Sequence, residues 1–121
     1  MQEDGGILSV VLSTPQTIGR VEWFTAYWGR RDTSACWTIS ASIFAPFRNQ
    51  GYGTLAQRQL VAYLFDHTRM HRIQAYTDVE NVMERRALEA AGFQLEGVIR
   101  GAQWRKGKWH DQALYSITRP E

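Results

Sequence analysis

The chain has 121 residues, of which 44% are hydrophobic and 21% charged, with a formal net charge of +2. That composition fits one domain over 1–121 with one core; it is too apolar for a disordered chain and too weakly basic to argue for nucleic acid. The single cysteine, Cys36, excludes an internal disulfide and fits a reducing compartment.

In chain order, Ile7–Ser13 reads as a strand ending at the turn signal Thr14-Pro15-Gln16. Ile18–Trp28 is a second strand, with Val21 and Trp23 facing a core, and Gly29-Arg30-Arg31-Asp32 is the loop after it. Ala35–Phe44 is a third strand, in which Cys36 reads as a buried, inert thiol. Pro46 has no N–H to offer a ladder and ends the regular pairing. Thr54–His67 is a helix whose Leu55, Leu60, Val61, Leu64 and Phe65 favour a broad buried face.

Arg72–Thr77 is a fourth strand. Asn81 opens a short helix through Ala91, with Asn81 and Glu84 as a capping pair and Gly92 as the C-terminal stop. Val98–Trp104 and Trp109–Thr118 form a closing hairpin around Lys106-Gly107. The strand–helix–strand passage in the middle implies a parallel crossover, while the outer strands pair antiparallel, so a mixed α/β sheet is expected. The start Met1-Gln2-Glu3-Asp4 is acidic, unlike a secretory signal. No apolar stretch approaches the roughly 20 residues that span a bilayer. A cytoplasmic location, with no membrane partner, is expected.

The most informative segment is Arg48-Asn49-Gln50-Gly51-Tyr52-Gly53, between the third strand and the long helix. Unpaired N–H groups at a helix start point outward, the helix dipole favours negative charge there, and glycines let the backbone approach a phosphate closely. The segment reads as a pyrophosphate cradle. It is not a P-loop, because no Gly-Lys-Ser/Thr follows, and the G-x-G-x-x-G spacing of a dinucleotide fingerprint is absent. Taken alone, these six residues fit a plain strand-to-helix turn equally well.

Arg48-x-x-Gly51-x-Gly53 resembles the Q/R-x-x-G-x-G/A signature of the GNAT N-acetyltransferases. Asn81, eleven residues before Gly92-Phe93, resembles that superfamily's asparagine-to-Gly-Phe segment. The tail Glu96-Gly97-Val98-Ile99-Arg100 … Gly107-Lys108-Trp109-His110-Asp111 … Leu114-Tyr115-Ser116 resembles the branch that acetylates ribosomal-protein N-termini, polyamines and some antibiotics. The resemblance implies a largely antiparallel sheet with a central splayed parallel strand pair and two main helices. It also implies acetyl-CoA as co-substrate. The pantetheine arm would lie in the splay beside Ile43 and Phe44, with the pyrophosphate on Arg48, Asn49, Gln50, Gly51, Tyr52, Gly53 and Thr54, and Asn81 on the other side of the cofactor.

The sequence departs from that pattern in three places. The usual tyrosine seven residues after the asparagine, a common thiolate protonator, is Leu88, and the serine three residues after it is Glu84. A carboxylate pointing at a phosphorylated cofactor would be unfavourable. The strand and two helices with which the family usually begins, and which build a wall of the acceptor pocket, are expected to be lacking ahead of Ile7. A homodimer, with strands exchanged, is expected to cover the open edge.

The candidate proton carriers are Glu22 on the second strand, with a solvent-facing strand residue as the alternative, His110, whose ordinary pKa suits a base, and Tyr115, with core or edge packing as the alternative. His110 and Asp111 are strand neighbours that point to opposite faces, so they form no simple pair. Asp78 and Glu80 fall near the expected thioester. Three histidines without ligand-like spacing give no zinc site, and no metal is expected. Trp104-Arg105-Lys106-Gly107-Lys108-Trp109 reads as a hairpin tip rather than a nucleic-acid patch. Trp23, Trp28 and Trp37 are assigned mainly to the core, with the acceptor pocket as their alternative.

The resulting expectation is an acyl-CoA-dependent N-acyltransferase acting by direct transfer to the amine of a small molecule or protein N-terminus. The alternative is a shortened GNAT-like module without acetyl transfer, binding a small molecule or partner or running a different reaction.

Overall fold

Alternation of apolar and polar residues in the strand segments, and a 3.6-residue apolar stripe in the helices, sort the chain onto one sheet and two helices. The computed structural model describes residues 4–14 and 16–120. Its elements are β1 (Gly5–Val11), β2 (Thr17–Tyr27), β3 (Ala35–Ile43), a 3-10 turn (Ala45–Phe47), α1 (Tyr52–His67), β4 (Arg72–Asp78), α2 (Val82–Ala90), β5 (Gln94–Arg105) and β6 (Lys108–Thr118). The six strands form one sheet in the order β1-β2-β3-β4-β6-β5. β3 and β4 run parallel, and each other neighbouring pair is antiparallel.

β1 starts and ends two residues earlier than its apolar run. Its register carries Gly5 opposite Phe24 and Val11 opposite Thr17. Gly6 lies against the Trp23 indole, where a Cβ would come within 2.5 Å of Cζ2, so a bare backbone lets β1 reach this far. Pro15, the centre of the expected turn, lies outside the described residues; Leu12 N–H donates to Gln16 C=O across it at 3.0 Å. β5 begins four residues earlier than expected, at Gln94. Bulges between Leu95 and Gly97 and between Ile99 and Gln103 break its alternation, which hides a strand from a period-two reading. Lys106 and Gly107 both have positive φ, as a tight two-residue hairpin turn requires.

Both helices lie on one face of the sheet, as right-handed crossovers in one direction require. Leu60 and Leu64 of α1 and Leu88 of α2 join Trp23, Trp37, Ile39, Ile73 and Tyr115 in one core. The buried stripe of α1 is Ala56, Gln57, Leu60, Val61 and Leu64. Leu55, expected within it, is 50% exposed, because it sits one residue, about 100°, off the stripe. Trp28 is exposed rather than in the core, donating Nε1–H to Gln74 Oε1 on the other sheet face. That face is uncovered by any helix among the described residues, and no family-type front strand or helix precedes β1 among them.

Candidate functional site

β3 and β4 share only two register pairs, Trp37 with Ile73 and Thr38 with Gln74. Beyond them β3 stays with β2 as far as Ile43, and β4 stays with β6 as far as Asp78. The parallel pair therefore splays. Phe44 N–H donates to Ile18 C=O at 2.7 Å, so Phe44 is turned toward β2. Strand residues turn their polar groups alternately to either side, which aims those of Ile39, Ala41 and Ile43 into the gap. Arg48 Nε–H already donates to Ile43 C=O at 2.9 Å, tying the following loop to the end of β3.

The loop is shaped by Asn49 (φ 63°) and Gly51 (φ 83°), both left-handed. Gly51 is the N-cap of α1, and a Cβ there would meet nothing within 4 Å. The first intrahelical bond is Leu55 N–H to Gly51 C=O at 3.1 Å. The N–H groups of Tyr52, Gly53 and Thr54 thus precede the hydrogen-bonded ladder, and the first turn carries no acidic residue. Such an open cradle fits a pyrophosphate.

A cavity of about 950 Å³ joins the splay, the cradle and α2; it is lined by Ser42, Arg48, Gly51, Thr54 and, from across, Asn81 and Glu84. Asn81 caps α2, its Oδ1 accepting Glu84 N–H at 3.2 Å. Its Nδ2 makes no hydrogen bond among the described residues, which leaves a donor for a ligand. The reciprocal half of the capping pair does not form. Asn81 N–H donates to Asp78 C=O, and the Glu84 carboxylate accepts from Gln57 Nε2 at 2.6 Å instead. Burial pushes the Glu84 carboxyl above the usual carboxylate range, against the lowering effect of that bond.

A second cavity of about 600 Å³ meets the first at Asn81 and is lined by Tyr76, Asp78, Glu80, Arg105 and Gln112. Asp78 Oδ1 accepts Glu80 N–H at 2.8 Å, and Oδ2 accepts Arg105 Nη2 at 2.5 Å. The Glu80 N–H first, then Arg105, hold its carboxyl below the usual range. His110, 9% exposed, places Nδ1 3.1 Å from Asp78 Oδ2 and Nε2 3.0 Å from Arg105 C=O. Asp78, Glu80 and His110 each bring a polar atom within 4.8 Å of the others, which no sequence spacing displays. Asp111, on the opposite face, accepts Gly101 N–H at 2.8 Å.

His110 itself lines neither cavity and meets the smaller one only through Asp78; Glu22 and Tyr115 also line neither. Glu22 faces Ser40 in the register and pairs with Arg20 Nε at 2.9 Å. Tyr115 is 0% exposed beneath α2, its hydroxyl donating to Glu89 Oε2 and accepting from Arg85 Nε, each at 3.0 Å. Leu88 is 1% exposed within the core. Gln57 and Arg105 were not singled out by sequence. A polar residue inside the α1 stripe was the available signal for Gln57; Arg105 had none beyond its place beside the hairpin turn.

A family model described as an acetyltransferase (GNAT) domain matches residues 1–94. The chain is 31% identical over 109 residues to the probable N-acetyltransferase YjcK of Bacillus subtilis, covering 90% of this chain and 59% of that protein. It is similar in structure to spermidine N-acetyltransferase from Vibrio cholerae in complex with CoA and spermine, with a TM-score of 0.83, 20% identity, and 96% and 66% of the two chains covered. The microcin C7 self-immunity acetyltransferase MccE in complex with acetyl-CoA and AMP gives a TM-score of 0.82 at 24% identity, with 97% and 62% covered. These two likenesses establish the fold. The chain spans 59% of YjcK and 55% of an uncharacterized N-acetyltransferase, YnaD, of the same organism.

Proposed function

The chain belongs to the acetyltransferase (GNAT) domain family, and on that premise we propose that it binds acetyl-CoA in the larger cavity and transfers the acetyl group to an amine held in the smaller one. The observation that carries this reading is the joining of the β3–β4 splay, the glycine cradle and Asn81 in a single cavity. Acetyl-CoA would supply an activated thioester: the amine would form the new C–N bond as the C–S bond breaks, with CoA leaving as the thiolate and taking its proton from solvent. The N–H groups of Tyr52, Gly53 and Thr54 would hold its pyrophosphate, with Arg48 adding positive charge, and Ile39 and Ala41 would offer backbone pairing along the splay.

An amine attacks only when neutral, so a proton must leave it. Asp78 is held ionised and is a poor base by itself, but it touches His110, and we place proton removal on that pair. His110 reaches the smaller cavity through Asp78, whereas Tyr115 is engaged by Glu89 and Arg85 and Glu22 is paired with Arg20 away from both cavities, so neither of these is given a role. A homodimer in a reducing, cytoplasmic setting belongs to the same reading. Its support is the apolar edge strand β5, with exposed Leu95, Val98, Ile99 and Trp104, and the lone buried Cys36.

Burial of Leu88, where the family's tyrosine would stand, favours a second reading: cofactor or small-molecule binding without transfer. Calorimetry with acetyl-CoA tests the first part. Saturable binding lost in Gly51→Val supports the cofactor site, and absence of binding by the folded protein overturns it. Acetylation of an amine panel then separates transfer from binding alone.

A further inference from the structure

Glu84 is the acidic residue among those lining the cavity that it shares with the glycine loop read as an anion site. Its partner, Gln57, is 2% exposed on the sheet-facing stripe of α1. Gln57 Nε2–H donates to Glu84 Oε1 at 2.6 Å, while Gln57 Oε1 is buried with no hydrogen-bond partner among the described residues. A buried carbonyl without a donor is costly. An ionised carboxylate has no proton to give it. A protonated one does: a carboxylic acid and a primary amide can form two hydrogen bonds head to head, O–H to Oε1 and Nε2–H to the acid's carbonyl oxygen.

We propose that the anionic cofactor is bound with Glu84 in its neutral, protonated form, paired head to head with the Gln57 amide, so that binding takes up a proton. Resting as it does on the acyl-CoA assignment of the cavity, the inference adds a determinant of affinity within that site. The other charged or titratable groups facing the cavity are Arg48 from the loop, Arg86 from α2 and the Tyr52 phenol from α1; β3 contributes the uncharged Ala41, Ser42 and Ile43. The two arginines attract the cofactor at every pH near neutrality, which leaves Glu84 as the cavity-lining acid that opposes it.

The sign follows from linkage. Burial already raises the Glu84 carboxyl, and a bound anion raises it further. Affinity is therefore highest where Glu84 is protonated in the free protein. It falls as pH climbs between the free and bound values, and levels off above the bound value. The cofactor's own phosphates also titrate, so the effect is the difference between the parent and Glu84→Gln, which keeps an amide-bonding group but no ionisable proton.

Calorimetric titration of CoA into both proteins, in buffers of different ionisation enthalpy over a pH series, measures proton uptake directly. The expected result is greater uptake in the parent, with its affinity falling more steeply than the variant's, by up to about tenfold per pH unit. Equal uptake and parallel affinity curves overturn the inference while leaving the cofactor site standing; failure of the folded parent to bind CoA overturns both. Should Glu84→Gln not fold, isotope-edited infrared spectroscopy of the parent–CoA complex decides. A protonated Glu84 carboxyl band supports the inference, and a carboxylate band overturns it.

Discussion

Arg72 on β4 and Glu96 on β5 form a two-pronged ion pair, Nη1 to Oε1 at 2.5 Å and Nη2 to Oε2 at 2.8 Å, across the strand that separates them. Ser116 of the intervening β6 donates its hydroxyl to Oε1 at 2.6 Å. Arg72 also donates to Gln74 Oε1, and Gln74 Nε2 donates to Thr38 on β3 at 3.0 Å. The network thus ties four strands together at the end where β3 and β4 remain paired. The splay opens at the other end, so the clamp sits at the paired base of the gap between β3 and β4.

Acid should loosen that clamp. Arg72 first, then Ser116, hold the Glu96 carboxyl at about 2, down from 4.5. A depressed carboxylate contributes stability that is full above its unfolded value and is lost as pH falls through the folded one. The stability advantage of the parent over Glu96→Gln should therefore be present at pH 7 and shrink between about pH 4.5 and 2. Its size should be about 1 kcal/mol or less, because the pair is partly exposed and screened by solvent. Thermal unfolding across that pH range measures it; a constant difference would refute it.

Asn81→Ala should act on two properties at once. Loss of the Oδ1 bond to Glu84 N–H removes the α2 cap, at a cost of about 1 kcal/mol. Loss of Nδ2 removes a donor from both cavities and should weaken CoA binding several-fold. Asn81→Asp separates the effects: it keeps the cap acceptor, loses the donor and adds negative charge. Urea unfolding with parallel calorimetry reads both, and unchanged affinity in Asn81→Asp would refute the contact with the cofactor.

Restoring the family's tyrosine at position 88 should not be benign. Leu88 is 1% exposed among closely packed neighbours, and a larger ring with a hydroxyl should cost about 1–3 kcal/mol through overpacking. Denaturant unfolding of Leu88→Tyr tests this. A variant as stable as the parent would mean that the side chain escapes toward the cavity, and would reopen its role as a proton donor.

Arg105→Ala should leave CoA binding intact, since Arg105 does not line the cofactor cavity. It removes the Asp78 ion pair and one neighbour of His110 Nδ1. Asp78 should then titrate closer to an ordinary carboxylate, and the pH profile of amine acetylation should shift while CoA affinity stays constant. A matched loss of CoA affinity would contradict the division of labour between the cavities.

The strands, both helices, the cradle and the capping asparagine were legible because each depends on local chemistry. Leu60 and Leu64 repeat at helical spacing, Gly51 supplies a left-handed cap, and Asn81 accepts from the N–H three residues on. Residues 94–97 were missed as strand because the bulge after Leu95 breaks the alternation that identifies one.

By itself, then, the sequence determined the order of elements, the parallel crossover and the place of the glycine loop ahead of α1, all of which follow from short-range periodicity and turn chemistry. Tertiary structure alone decided which side chains meet: that Glu84 turns from its own helix cap to Gln57, that His110 meets Asp78 rather than Asp111, and that Tyr115 is locked beneath α2. Those contacts join residues 27, 32 and 26 positions apart. Their geometry depends on strand order and crossover, and local periodicity carries no record of either.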